Sequence, residues 1–260
     1  MRTNRKRIGV ALGSGGMRGM AHIGVLQVLE EAGIPIDLIS GASAGAFFGA
    51  AYAAGMDLYA LGAYAATLVK RDVLDLPNPF RAGLFSGNKF RRLCRIVTDG
   101  KSFSDTVVPF WCSAVDLVTG ETAYLHSGPL HEAVRASIAI PGLLRPLSID
   151  GKTYIDGGTV ESLPVEILRR NGADRVIGVD LSITPPYSEK RSNAYRVLFR
   201  SVDIMRAAMD NLIPRSADVL IRPDASFMGR LVPHDATKCI AVGRAAASAA
   251  LPEIRRMLRS

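Results

Sequence analysis

The sequence predicts an α/β protein, a three-layer α/β/α sandwich around a mostly parallel central sheet. Three observations carry this. Short apolar runs alternate with segments of helical period along most of the chain. The first two runs, Ile8 to Leu12 and Ile36 to Ile39, each end in small residues that lead straight into a helical pattern. Further on, Arg175 to Leu181 is almost continuously apolar, as a strand covered on both faces must be.

The elements follow in order. After the strand Ile8 to Leu12, a helix shows apolar residues at Ile23, Leu26 and Leu29, with Glu30 and Glu31 on its wet side. After the strand Ile36 to Ile39, the small residues Ala44 to Ala54 continue as a helix. The whole weakly polar stretch Ala44 to Val69 reads as a buried helix pair, because it is too Ala/Gly-rich for a membrane span. Arg71 to Ser86, with Pro77, Pro79 and Gly83, reads as a loop. Lys89, Arg91, Arg92, Arg95 and Lys101 then interleave with Phe80, Phe85, Phe90 and Phe103. That pattern fits a cap or membrane-facing segment. The plainer alternative, a solvated basic helix with ordinary core aromatics, is favoured at this point.

Val107 to Val115 and Glu121 to Leu125 read as paired strands around Thr119-Gly120. His131 to Ile140 reads as a helix stopped by Pro141-Gly142. Leu147 to Ile149 and Lys152 to Ile155 flank Asp150-Gly151, a strong hairpin signal. Glu166 to Arg170 ends a helix, with Gly172 after it. Thr184 to Asn193 is a Pro-rich loop. Tyr195 to Leu212 is amphipathic, and its stripe of Leu198, Val202, Met205, Met209 and Leu212 is expected in the core. Asp218 to Arg222 is a last strand and Lys238 to Ser260 a final basic helix. No repeat or low-complexity segment interrupts this pattern, so residues 1–260 are expected to form one domain.

The chain has 260 residues, 48% of them hydrophobic and 22% charged, as expected of a globular protein with a full core. Its net charge of +8 favours an anionic partner, a phospholipid surface or nucleic acid. Cys94, Cys112 and Cys239 show neither a disulfide framework nor zinc spacing, which suggests a reducing compartment. Met1 to Arg7 reads as a basic arm rather than a signal peptide, because the apolar run behind it is only five residues long. The expected location is cytoplasmic, with peripheral contact at an anionic inner membrane face.

The chemistry centres on Gly41-Ala42-Ser43-Ala44-Gly45, a G-x-S-x-G between strand and helix. Such a turn exposes the serine hydroxyl, and its glycines allow the close packing it requires. Gly13-Ser14-Gly15-Gly16-Met17-Arg18-Gly19 occupies the same place after the first strand. Its N–H groups at a helix start suit negative charge. Both turns fall at the carboxyl ends of parallel strands, where such sheets bind ligands. An oxyanion site beside a nucleophile is the simplest reading.

A serine hydroxyl needs a base. His22, His126, His131 and His234 are the only histidines. Only His234 lies late enough for a hydrolase triad, in a loop with no other signal, and helix-borne His22 reads as a packing residue. Asp156, at a strand end before Gly157 and Gly158, is the better candidate.

These motifs resemble the patatin-like phospholipase family, specifically small bacterial members related to the neuropathy target esterase catalytic domain. Gly13 to Gly19, Gly41 to Gly45 and Asp156-Gly157-Gly158 match its three signatures. Ala136 to Pro141, with Pro146 downstream, resembles its intervening block, and Ala217 to Pro223 resembles its tail. The resemblance implies a Ser–Asp dyad of Ser43 and Asp156 and an oxyanion hole at Gly15, Gly16 and Met17. Gly13, Arg18, Gly19, Gly41, Gly45, Gly157 and Gly158 are implied as supporting residues, with Arg18 bracing the turn. Ser14 departs from the glycine often found there, which matters little to main-chain donors. A free aspartate is a poor base, and partial burial is expected to raise its pKa. The expected substrate is a lipid or small ester, with no metal or cofactor and no nucleic acid partner. The same acyl-enzyme could serve an acyltransferase. A dinucleotide site using Gly13, Gly15 and Asp37 has the wrong glycine spacing, and the cluster from Lys89 to Lys101 lacks any nucleic-acid recognition motif.

Overall fold

The computed structural model describes residues 5–182, 217–228 and 235–260, with scattered positions between 197 and 208. The strands are β1 (Ile8–Leu12), β2 (Leu38–Ala42), β3 (Gly83–Phe85), β4 (Phe110–Asp116), β5 (Thr122–Leu125), β6 (Gly142–Leu144), β7 (Leu147–Ile149), β8 (Lys152–Asp156), β9 (Arg175–Val179) and β10 (Val219–Ile221). The helices are α1 (Met20–Glu31), α2 (Ala44–Ala53), α3 (Leu58–Thr67), α4 (Lys70–Val73), α5 (Asn88–Val97), α6 (Leu130–Ser137), α7 (Glu166–Arg170) and α8 (Ala236–Arg259).

The main sheet runs β10-β9-β1-β2-β4-β8-β7, with β5 also paired to β4. From β10 to β4 every pairing is parallel. Beyond β4 the sheet turns antiparallel. β1 and β2 are buried at every residue, as central strands of a covered sheet must be. Alternation along β1 sorts its side chains between two cores. Ile8, Val10 and Leu12 join the helices α1, α2 and α8 on one face, while Ala11 meets Leu163, Ile167 and Leu168 around α7 on the other. This is the expected three-layer α/β/α architecture. α8 lies so close to α1 that a Cβ on Gly24 would strike the Ile240 carbonyl, and one on Gly243 the Ala21 carbonyl.

Register positions the site. Ala42, the last residue of β2, lies opposite Ser113 of β4, and the next β4 residue, Ala114, lies opposite Asp156 of β8. The residue after β2 and the last residue of β8 therefore reach the same height on either side of β4. β8 runs antiparallel, so register, rather than a shared strand direction, brings Asp156 to the sheet edge where β2 ends. The β7–β8 hairpin turns through Asp150 and Gly151, both at positive φ (49° and 79°), the signature of a type I′ turn.

The structure departs from the sequence expectations in three places. Arg71 to Ser86 contains the one-turn α4 and the three-residue β3, which pairs with β6 in a separate two-stranded sheet. A buried Arg135 holds this sheet, donating to the carbonyls of Ser86, Gly87 and Arg145 at 2.9, 3.2 and 2.8 Å. Three residues are too few to show a period. Second, the interleaved phenylalanines divide: Phe103 is buried, whereas Phe80 is 94% exposed. Third, Leu198 and Met205 of the expected core stripe are 50% and 58% exposed. α1 and β10 are covered instead by α8. Met209, Leu212 and the loop Thr184 to Asn193 lie outside the described residues. Among the described residues, no helix is long and apolar enough to cross a membrane. α2 is buried almost throughout and α3 along one face, as the helix-pair reading requires.

Candidate active site

Ser43 joins β2 to α2 with φ 52° and ψ −115°. A non-glycine residue there stores about 1–3 kcal/mol of backbone strain, which its surroundings must hold in place. The turn is as tight as its sequence implies. A Cβ on Gly41 would collide with the Gly45 backbone, and one on Gly45 with the Leu12 carbonyl, so only glycine fits either position.

Ser43 Oγ donates to Asp156 Oδ2 at 2.7 Å, across 113 residues of chain. Both side chains are buried, at 5% and 6% exposure. The other carboxylate oxygen, Oδ1, accepts the Gly158 N–H at 2.7 Å, which leaves Oδ2 directed at the serine. Main chain fixes the aspartate as well: its N–H donates to the Ala139 carbonyl at 3.0 Å. Gly157 packs directly on Ser113 of β4, with no room for a side chain.

The glycine turn lies on the neighbouring strand end. Gly13 N–H donates to the Val179 carbonyl and Ser14 N–H to Ser162, tying the turn to the sheet edge. Arg18, 2% exposed, donates from Nε to the Gly15 carbonyl at 3.1 Å. Gly16, at φ 59°, and Met17 line the same cavity as Ser43. Among the described residues, the N–H groups of Gly15, Gly16 and Met17 have no hydrogen-bond acceptor. Gly19 packs against Ala44 and Phe48 of α2, which sets the two turns side by side.

The described histidines lie elsewhere. His22 is buried with Nε2 2.8 Å from the Gly13 carbonyl, and burial lowers its pKa to about 4. His131 sits beside Glu132, and His126 Nδ1 faces the Tyr124 carbonyl. His234 is outside the described residues.

One residue escaped sequence reasoning. Ser137, at the end of α6, is fully buried and its Oγ accepts the Ser43 N–H at 2.9 Å. Its signal was its place in the block Ala136 to Pro141, whose resemblance assigned it no role.

Beside Ser43 opens a cavity whose empty space, including the part open to solvent, is about 820 Å³. Phe47, Leu61, Leu93, Val97, Ile138 and Leu143 are among its walls, and its lining is apolar except for Ser43 and Tyr64. Such a space suits a hydrocarbon chain ending at a reactive hydroxyl. Among the described residues, no cluster of three or more His, Cys, Asp or Glu could hold a metal ion.

Comparison with known proteins identifies the family. Residues 10–169 match the family model of patatin-like phospholipases. An uncharacterized NTE family protein of Mycobacterium bovis is 39% identical over 179 residues, 68% of this chain and 49% of that protein. Human patatin-like phospholipase domain-containing protein 6 is 38% identical over 182 residues, covering 67% of this chain and 13% of that protein. Lysophospholipase nte1 of Emericella nidulans is 32% identical over 206 residues, covering 75% and 13%. The chain thus spans about half or less of these relatives. Among solved structures, VipD from Legionella pneumophila superposes with a TM-score of 0.65 at 14% identity, covering 96% of this chain and 67% of that one. The type III effector ExoU gives 0.53 at 15% identity, covering 96% and 53%. At those identities the likeness is one of fold.

Proposed function

Since the chain belongs to the patatin-like phospholipase family, we propose that it hydrolyses acyl esters of lipids through a Ser43–Asp156 dyad. The observation that carries this reading is the 2.7 Å contact between Ser43 Oγ and Asp156 Oδ2 at the edge of an apolar cavity. In the proposed reaction, Oγ attacks the ester carbonyl while Asp156 takes its proton. The tetrahedral oxyanion is received by the N–H groups of Gly15, Gly16 and Met17, each such donor contributing about 3 kcal/mol. The ester C–O bond breaks and Asp156 returns its proton to the leaving alcohol. Water then attacks the acyl-enzyme with Asp156 again as base, freeing the fatty acid and restoring Ser43. The apolar cavity holds the acyl chain throughout.

The proposed partner surface is an anionic membrane. Residues 70–101 carry eight Lys and Arg against three Asp, most of the chain's net charge. Within them Leu76 and Phe80 are 90% and 94% exposed. The same segment gives Val73, Leu74 and Phe90 to the cavity wall. Apolar tips among cations beside an acyl-sized cavity suit a lipid interface.

The testing experiment combines a fluorophosphonate probe with Ser43→Ala and Asp156→Asn. The probe is expected at Ser43, and each variant should lose about 10⁴-fold or more in kcat while staying folded. Near-native turnover by Asp156→Asn would overturn the dyad.

A further inference from the structure

We propose that Ser137 is a positioning residue for this reaction, its hydroxyl holding the strained Ser43 backbone where the nucleophile meets Asp156. The proposal rests on the reading of Ser43 as nucleophile. Ser137 and Ser43 are 94 residues apart, yet Ser137 Oγ accepts the Ser43 N–H at 2.9 Å in a fully buried setting. Ser43 stands at the N-cap of α2, where a backbone donor has no partner within the helix. A positive φ persists only where its neighbours enforce it. Removal of this acceptor would leave a buried donor unsatisfied and let the turn relax, swinging Oγ off its line to the carboxylate.

The next residues extend the grip. The Ala139 carbonyl accepts the Asp156 N–H at 3.0 Å. Ile138 and Ile140, between and beyond these two positions, face the cavity instead. One short segment therefore touches the nucleophile, the base and the cavity wall. The Cys112 thiol lies beside the Ser137 hydroxyl and donates to the Ala133 carbonyl at 3.3 Å. Burial pushes that thiol up to about 12, so it remains neutral and brings no charge to the site.

The test uses the full chain as wild type, Ser137→Ala and Ser137→Cys. Steady-state kinetics on short and long acyl esters are combined with the rate of fluorophosphonate labelling and a thermal melt. Ser137→Ala should lower kcat and the labelling rate ten- to hundredfold, with KM within about twofold and the same loss for every chain length. The Gly158 N–H still holds Asp156 Oδ1 in Ser137→Ala, so the base stays in place while the nucleophile is displaced. Ser137→Cys, nearly isosteric with a weaker acceptor, should fall between Ser137→Ala and wild type. The proposal is overturned if folded Ser137→Ala keeps kcat within twofold. It is equally overturned if the loss appears in KM, grows with chain length, or merely tracks the fraction unfolded. Should Ser137→Ala not fold, wild-type kcat in Ser137→Cys would still refute it and a several-fold loss would support it. A wild-type enzyme that turns over esters but is never labelled at Ser43 removes the nucleophile assignment, and Ser137 falls with it.

Discussion

Acid should weaken the fold through His22 in a defined window. The ring is fully buried on α1, with Nε2 2.8 Å from the Gly13 carbonyl. A carbonyl only accepts, so Nε2 carries the proton and Nδ1 is bare. Among the described residues Nδ1 has no partner, so a second proton there would sit in the core unsatisfied. Burial is the dominant effect. It outweighs the Gly13 carbonyl and Asp180, which both favour the charged ring, and moves the pKa from 6.5 to about 4. Between those values the unfolded chain binds more protons than the folded one, so stability falls as pH falls through this window. Nothing is lost above it. The full loss is about 3 kcal/mol, a sizeable share of the 5–15 kcal/mol typical of a domain. The perturbation is His22→Gln, which keeps an N–H donor and does not titrate. Urea unfolding of both proteins from neutral pH down to about 4 measures the difference, cancelling every other titrating group. Wild type is expected to lose about 3 kcal/mol relative to the variant, chiefly below pH 6.5. A stability gap that stays constant across that range would refute the reasoning.

Three further outcomes are expected. Gly45→Ala should cost about 3 kcal/mol or more, because its methyl group strikes the Leu12 carbonyl, and the folded fraction should be inactive. Denaturant melts with active-site labelling check both halves. Ala65→Phe places a ring in the cavity and should shorten the longest ester accepted while sparing short ones, read from kcat/KM over a chain-length series. Phe80→Asp removes the burial of one aromatic in lipid, about 2 kcal/mol, so vesicle affinity should drop about thirtyfold. Turnover of a soluble short ester should be unchanged, and the wild-type affinity should weaken with salt.

The parts of the fold written in local pattern were legible in the sequence. β1, β2 and β9 are apolar runs between small-residue turns, and the Asp150-Gly151 hairpin is fixed by two adjacent residues. The meeting of Ser43 and Asp156 was also legible, because each stands at a strand end beside glycines that have little other use. Contacts that depend on distant partners were not. Nothing near Ser137 reveals that its acceptor role lies 94 residues away. β3 and β6 pair in three-residue pieces held by a buried arginine, which leaves no periodic trace. The stripe of Leu198 and Met205 misled for a related reason. An apolar helical face specifies a wish for cover, and whether another element meets it is decided elsewhere in the chain.

The order of strands in the sheet bears on how the site comes together during synthesis. β1, which precedes the other strands of this sheet, is flanked by β9, and the Ser43 hydroxyl finds its carboxylate only at Asp156. A growing chain that has emerged through α2 holds a reactive-looking turn without base, acceptor or completed sheet. Competence should therefore arrive late and all at once, when β8 and β9 have joined the sheet. If the proposed dyad is the catalyst, a chain that ends before β8 is silent as an esterase.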